Sequence, residues 1–281
     1  MAIGDSFSKG WSFIKAAFAM AKENKRLLLP SLYQVLFSIV YFVIWVVILL
    51  ALHPRWSNAT WTVVSAIATF GSFLIFYFFC GITVNMIDVH LKGGTPSIGD
   101  GAKDAGKNFL AIVFLAMIST AIEMFARAAR NNDSIIGRII AGIVEAIWTT
   151  LSFLLLPAII IEDAGFGQAM TRVRELHKGN FLLIGIGEVG VRLVTGIIGF
   201  VWVLLIIGLV WFSFSAFSST TALVISFVVG GTMLAVYVAF SNYLRMAYYT
   251  CLYLWASDVE RQGQQAPAPL PLAIALGRRA A

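Results

Sequence analysis

A chain of 281 residues that is 59% hydrophobic and only 12% charged, with a mean hydropathy of +0.87, is excluded from the soluble globular class. Soluble domains carry about 25% charged residues. The net charge of +6 would suggest a nucleic-acid partner in a soluble protein; here it fits basic segments that face anionic lipid, so lipids and not nucleic acid are the expected partners.

The first 26 residues are basic, and Phe7, Trp11, Ile14 and Phe18 recur at the spacing of one helical face. They do not read as a cleaved leader, because the long apolar run starts only at Leu27 and lacks a small-residue cleavage site. Six membrane spans are predicted, over residues 27–52, 61–89, 109–125, 135–161, 181–210 and 220–256. Several exceed the roughly 20 residues a bilayer needs, so they must tilt, kink or protrude. Pro157, inside the fourth, is expected to kink it. The stretches "HPRWSNAT", "ARAARNNDS" and "WFSFSAFSS" read as hairpin turns within successive pairs of spans.

The remaining connections, 90–108 and 162–180, are long, basic and amphipathic. Together with the N-terminal segment and the tail they hold fourteen Lys and Arg, against four near the opposite face. By the positive-inside rule both termini are cytoplasmic, and the expected location is the cell's inner (plasma) membrane. The sequons at Asn58 and Asn132 then fall outside and read as chance matches. The tail, 261–281, reads as a flexible cytoplasmic Pro/Ala/Gln linker ending in "LPLAIALGRR".

A weak internal repeat runs through the chain. Asn24, Asn108 and Asn180 each precede a span, and each follows a stretch with apolar residues at helical spacing. The second of these stretches carries Ile98, Ala102, Ala105 and Phe109, and the third Phe166, Met170 and Val173. The expected fold is all-α and polytopic: one transmembrane domain over 1–260, in repeat units of about 1–90, 91–162 and 163–258. Each unit is an amphipathic interfacial helix followed by a transmembrane hairpin. Lys15, Lys103 and Arg174 on the cationic faces are the candidate contacts to lipid headgroups.

Gly185-Ile186-Gly187-Glu188-Val189-Gly190 matches the dinucleotide pattern, but no acidic residue follows until Asp258 and the sequence runs on as a span. The glycines read instead as packing surface, continued by the small pair Thr195 and Gly199. Glu188 and Arg192 then lie four residues apart inside a span. Glu145 lies midway along another, and Glu123 and Arg127, with Arg130 beside them, near the end of a third. Arg245 and Asn242 sit in the sixth. Ionised groups at such depth are costly unless paired or hydrated, so these residues form either a polar intramembrane pathway or structural ion pairs.

Other chemistry is thin. His53, His90 and His177 are isolated, no catalytic or metal-ligand spacing appears, and neither cofactor nor metal is expected. Asp88, Glu162, Asp163 and Asp258 read as solvated helix ends, and Cys80 and Cys251 as free buried thiols.

The segments "GWSFIKAAFAMAKENKRLLLPSL", "GGTPSIGDGAKDAGKNF", "IIGRIIAGIVEAIWTTLSFLLLPAIIIEDAGFGQAM" and "HKGNFLL" resemble an uncharacterised family of prokaryotic multi-pass membrane proteins. The resemblance implies a six-helix membrane fold and carries no activity. The expected function is non-enzymatic, transporter- or channel-like for a small ion or solute. The alternative is a membrane-organising or lipid-binding scaffold, and either could work as a homo-oligomer.

Overall fold

A computed structural model describes residues 3–52, 57–131, 135–263 and 265–277, with the backbone alone described for 3–6, 52, 58 and 177–193. The described residues form α1 (Ile3–Glu23), a 3₁₀ turn (Lys25–Leu28), α2 (Leu29–Leu52), α3 (Asn58–Leu91), α4 (Ile98–Lys107), α5 (Phe109–Asn131) and α6 (Ile135–Ile161). There follow α7 (Phe166–Ala216), α8 (Ser219–Ile225), a π-turn (Ser226–Gly230), α9 (Gly231–Gln262) and α10 (Leu270–Leu276). Six stretches are long and apolar enough to cross a membrane: Lys25–Ala51, Ala59–Leu91, Phe109–Asn131, Ile135–Ile161, Val194–Ala216 and Ser219–Gln262. The fold is the expected all-α, multi-pass class. The turns at 53–56 and 132–134, with Asn132, lie outside the described residues.

Two compact units divide the chain, Leu36–Lys178 and Met1–Val35 with Gly179–Ala281. This partition differs from division into three consecutive repeats. In the first unit α3, α5 and α6 pack together, with α4 against α3. Gly101 makes that last contact close: a Cβ there would meet Ile82 Cγ2 at 2.9 Å. Asn85 Nδ2 then donates to Asp104 Oδ2 at 3.0 Å, fixing α4 on its buried Gly101 and Ala105 face.

Asn108 ends α4 and separates it from α5, its side chain donating to Asp104 O and to Asp163 Oδ1 at 2.8 Å. Asn24 makes an equivalent break before α2, its Oδ1 accepting from Arg26 N at 3.2 Å. The third expected break is absent. At Asn180 the backbone continues helically within the 51 residues of α7. The asparagine itself is among the residues whose side chains lie outside the description.

Burial changes along three helices rather than around them. In α6, Ile135, Ile136, Ile143 and Ile147 are exposed, whereas every residue from Ser152 to Ile160 is buried, Pro157 included. Cys80 to Asp88 in α3 and Asn242 to Val259 in α9 are enclosed on nearly all sides in the same way. A helix that is apolar all round needs a cover on every face; protein covers one half, and lipid suits the bare half.

The second unit is built on α9. Its Tyr243 hydroxyl donates to Ala17 O at 3.0 Å, and Phe13 meets Tyr248 edge to face at 5.4 Å, so α1 lies along α9. The buried stripe of α1 is Phe13, Ile14, Ala17, Met20 and Ala21. Of the expected interfacial face, Ile14 is turned inward with this stripe, whereas Phe7, Trp11 and Phe18 are 39%, 41% and 55% exposed. Helix α1 has two apolar stripes at valid spacing, and the one richer in small residues allows the closer approach.

The tail also departs from a flexible linker. Gly263, at φ 84°, turns the chain out of α9, and Trp255 Nε1 donates to Ala266 O at 3.4 Å. Helix α10 then packs on α1 with Pro271, Leu272, Ala273 and Ala275 buried. Burial of those apolar groups offsets the ordering entropy that a solvated linker would keep. Arg278 and Arg279 lie outside the described residues.

Candidate functional site

A group of four charges whose side chains are described belongs to the α5–α6 hairpin. Glu145 is ten residues from the start of α6, and Glu123 eight from the end of α5, which places them about 15 Å and 12 Å from the hairpin end. Helical side chains lean toward their own N-terminus. Arg127 and Arg130, nearer the end of α5, therefore lean inward, while Glu145 on α6 leans outward to meet them.

The contacts follow this geometry. Arg127 Nε lies 2.7 Å from Glu123 Oε1, as the i,i+4 spacing predicts. Arg130 Nη1 lies 2.7 Å from both oxygens of Glu145, and its Nη2 3.5 Å from Glu123 Oε1. Two glutamates and two arginines thus form a neutral group bridged by Arg130. Both glutamate side chains are 27% exposed, and the arginines 43% and 47%. An isolated charge at this depth costs roughly 2.5–3.5 kcal/mol on an insertion scale; mutual pairing removes most of that demand.

One turn deeper lies a neutral polar hub. Ser119 Oγ on α5 donates to Leu115 O and accepts from Trp148 Nε1 on α6, each at 2.8 Å. Its proton being committed to Leu115, the Tyr77 hydroxyl on α3 is the donor in their 2.8 Å contact. Three helices therefore meet at one serine. Below it, Phe76 and Phe153 pack edge to face at 5.9 Å.

The other expected residues are placed as follows. The side chains of Glu188 and Arg192, with the glycines between 185 and 190, lie outside the described residues. Arg245 is exposed, and Asn242 is buried, donating to Gln34 Oε1 at 2.7 Å within its own unit. Thr195 and Gly199 do form a packing slot, occupied by Tyr237. Its hydroxyl donates to Thr195 O at 3.2 Å and fills the space a Cβ on Gly199 would need. Gly71 has the same relation to Tyr41, whose hydroxyl donates to Ala68 O at 3.1 Å.

Each candidate headgroup residue is exposed. Lys15 Nζ sits 5.5 Å above the Trp11 ring, an arrangement that joins an apolar body to a cationic tip. Lys103 projects from α4, which Gly101 and Asn85 hold on α3. Arg174 belongs to the first turns of α7, whose opposite face buries Ala169, Val173 and Leu176. Of the four acids expected to be solvated, Asp88 is only 9% exposed; its Oδ2 pairs with Lys92 at 2.7 Å and its Oδ1 has no hydrogen-bond partner. Cys80 and Cys251 are buried and form no disulfide. Among the described residues no three His, Cys, Asp or Glu stand together as a metal site.

The sequence suggested the Glu123–Arg127 pair, because it is local. It did not suggest that Arg130 reaches Glu145 or that Tyr77, Ser119 and Trp148 converge. A lone serine among apolar residues carries no local signal of a hub.

A family model described as "Family of unknown function (DUF6159)" matches residues 58–263, and the chain belongs to that family. No curated protein and no solved structure matches it.

Proposed function

We propose that this member of a family of unknown function is a non-enzymatic, lipid-binding membrane scaffold. It would hold its basic face against the anionic headgroups of the cytoplasmic leaflet, both termini inside, in the plasma membrane. The observation that carries this reading is the outward stripe of Phe7, Trp11 and Phe18 with Lys15 over Trp11. Burial of Phe13, Ala17 and Ala21 on the other side sets the direction in which that stripe points. Aromatic bodies with cationic tips suit the membrane interface, where each Lys or Arg near an anionic surface contributes about 1 kcal/mol. Lys103 and Arg174 extend the same chemistry from elements anchored by their buried faces.

A second reading, passage of a small ion or solute, is favoured by the depth of Glu123 and Glu145 alone. Their neutralisation by Arg127 and Arg130 is what a structural clamp requires, and for that reason the scaffold reading ranks first.

The test is charge reversal, Lys15→Glu, Lys103→Glu and Arg174→Glu together, in purified protein reconstituted in nanodiscs. Co-purified anionic lipid should fall by about tenfold or more, since three contacts at about 1 kcal/mol each are removed, with the unfolding temperature unchanged. Unchanged lipid content, combined with ion flux in liposomes that Glu145→Gln abolishes, would establish the second reading instead.

A further inference from the structure

The turn from α6 into α7 builds a groove that the headgroup contacts do not use. Glu162 is the first residue beyond α6, and Asp163 follows with a left-handed φ of 50°. The turn is held by Asn108 Nδ2, which donates to Asp163 Oδ1 at 2.8 Å, and by Gly165 N, which donates to Gln168 Oε1 at 3.1 Å. In α7, Gln168, Thr171, Arg172 and Glu175 recur at i, i+3, i+4 and i+7 and so share one face. Between that face and the turn lies an open groove of about 400 Å³ lined by Glu162, Ala164, Gln168, Thr171, Arg172 and Glu175. This volume is at the lower end of small-ligand sites.

The lining carries one cation and two carboxylates. Arg172 Nε is 3.0 Å from Glu162 Oε1, and the pair is only 19% and 30% exposed, so the guanidinium is held in place. Glu175 is exposed and has no ion-pair partner among the described residues. Gln168 spends its oxygen on Gly165 N and keeps its amide nitrogen to donate; Thr171 spends its proton on Gly167 O and keeps its lone pairs to accept. A simple anion meets a net negative lining here, and a simple cation meets Arg172. A ligand with both signs a few bonds apart satisfies both halves.

We propose that this groove binds a phosphate–ammonium zwitterion, with the ammonium at Glu175 and Glu162 and the phosphate at Arg172 and Gln168. The proposal deepens the lipid-binding reading above by adding a second, zwitterion-selective contact. The ligand's source is either the headgroup of a zwitterionic phospholipid or a free phosphoethanolamine-type metabolite.

Two arms separate these sources. In detergent, the unfolding temperature is followed against added phosphoethanolamine, with inorganic phosphate and ethanolamine as controls. In nanodiscs of equal phosphatidylethanolamine and phosphatidylglycerol, bound lipid is counted by native mass spectrometry. Each arm is run on the wild type, on Glu175→Gln and on the Lys15→Glu, Lys103→Glu, Arg174→Glu variant. Glu175 is exposed, so its variant should fold with the wild-type baseline. A response to phosphoethanolamine that Glu175→Gln weakens about tenfold supports the site with a free ligand. Enrichment of phosphatidylethanolamine alone, lost in Glu175→Gln, supports it with a lipid. A response reproduced by phosphate or ethanolamine alone, one retained by Glu175→Gln, or none in either arm overturns it. The triple charge variant reports on the anionic contacts independently, so either proposal can fail without the other.

Discussion

Arg130 Nη1 stands 2.7 Å from both carboxylate oxygens of Glu145, although the two residues lie 15 positions apart on different helices. This contact closes the α5–α6 hairpin below its turn and, through Glu123, makes a group with no net charge. Removing Arg130 leaves the Glu145 carboxylate without its counter-charge, whereas removing the Glu145 charge leaves Arg130 still beside Glu123. Arg130→Gln should therefore lower the unfolding temperature in detergent more than Glu145→Gln does, by at least about 3 °C. The double variant should fall short of the sum of the two. Equal or negligible shifts would show that the pairing is incidental.

Ser119 tests the hub one turn deeper. Ser119→Ala orphans the Trp148 indole N–H and takes one partner from the Tyr77 hydroxyl, which keeps Ser152 beside it. A stranded donor costs about 1–3 kcal/mol. Ser119→Ala should consequently destabilise more than Ser119→Thr, which keeps the oxygen, and much more than Ser72→Ala, whose exposed hydroxyl bonds only to its own helix. Chemical unfolding in mixed micelles would rank the three.

The two tyrosine–glycine contacts make a paired prediction. Gly199→Ala displaces Tyr237 from its slot, and Gly71→Ala displaces Tyr41. Overpacking of this kind costs about 1–3 kcal/mol. Tyr237→Phe, which loses only the bond to Thr195 O, should cost about 0.5–1.5 kcal/mol. In the Gly199→Ala background the tyrosine is already out of place, so Tyr237→Phe should add little. Full additivity in the thermal unfolding cycle would contradict the close approach.

Docking of the tail is open to proteolysis. Leu272 is 2% exposed where α10 meets α1, and Leu272→Asp places a charge in that contact. Protease should then cut the 263–269 linker at least about tenfold faster, because cleavage tracks the population of the undocked form. Leu270→Asp, at a position 55% exposed, should leave the rate near wild type.

The outward stripe of α1 can be read by thiol chemistry, since Cys80 and Cys251 are both buried. A cysteine introduced as Phe18→Cys should be shielded from a water-soluble maleimide in nanodiscs and react with a lipid-soluble one. Lys9→Cys, on the same helix, should react with both. Equal labelling of the two sites by the water-soluble reagent would place the stripe in water.

What the sequence by itself determined is the membrane class, the presence of six long apolar helical stretches and the pairing of Glu123 with Arg127. These depend on transfer free energies that sum along the chain and on a spacing of four residues within one helix. Of the residues expected on one face of α4 and of the first turns of α7, Ala105 and Val173 are buried, Ile98, Ala102, Phe166 and Met170 are half-buried, and Phe109 is 45% exposed. The tertiary structure alone decided which stripe of α1 is covered, that the tail docks, that α7 continues through Asn180, and that Arg130 reaches Glu145. Two stripes of similar spacing are equivalent until a partner helix approaches one of them. A charge in a span must find a counter-charge, but which one it finds depends on helix neighbours and on the lean of side chains from opposite helix ends. Those relations belong to the packed chain and leave no local mark in its order of residues.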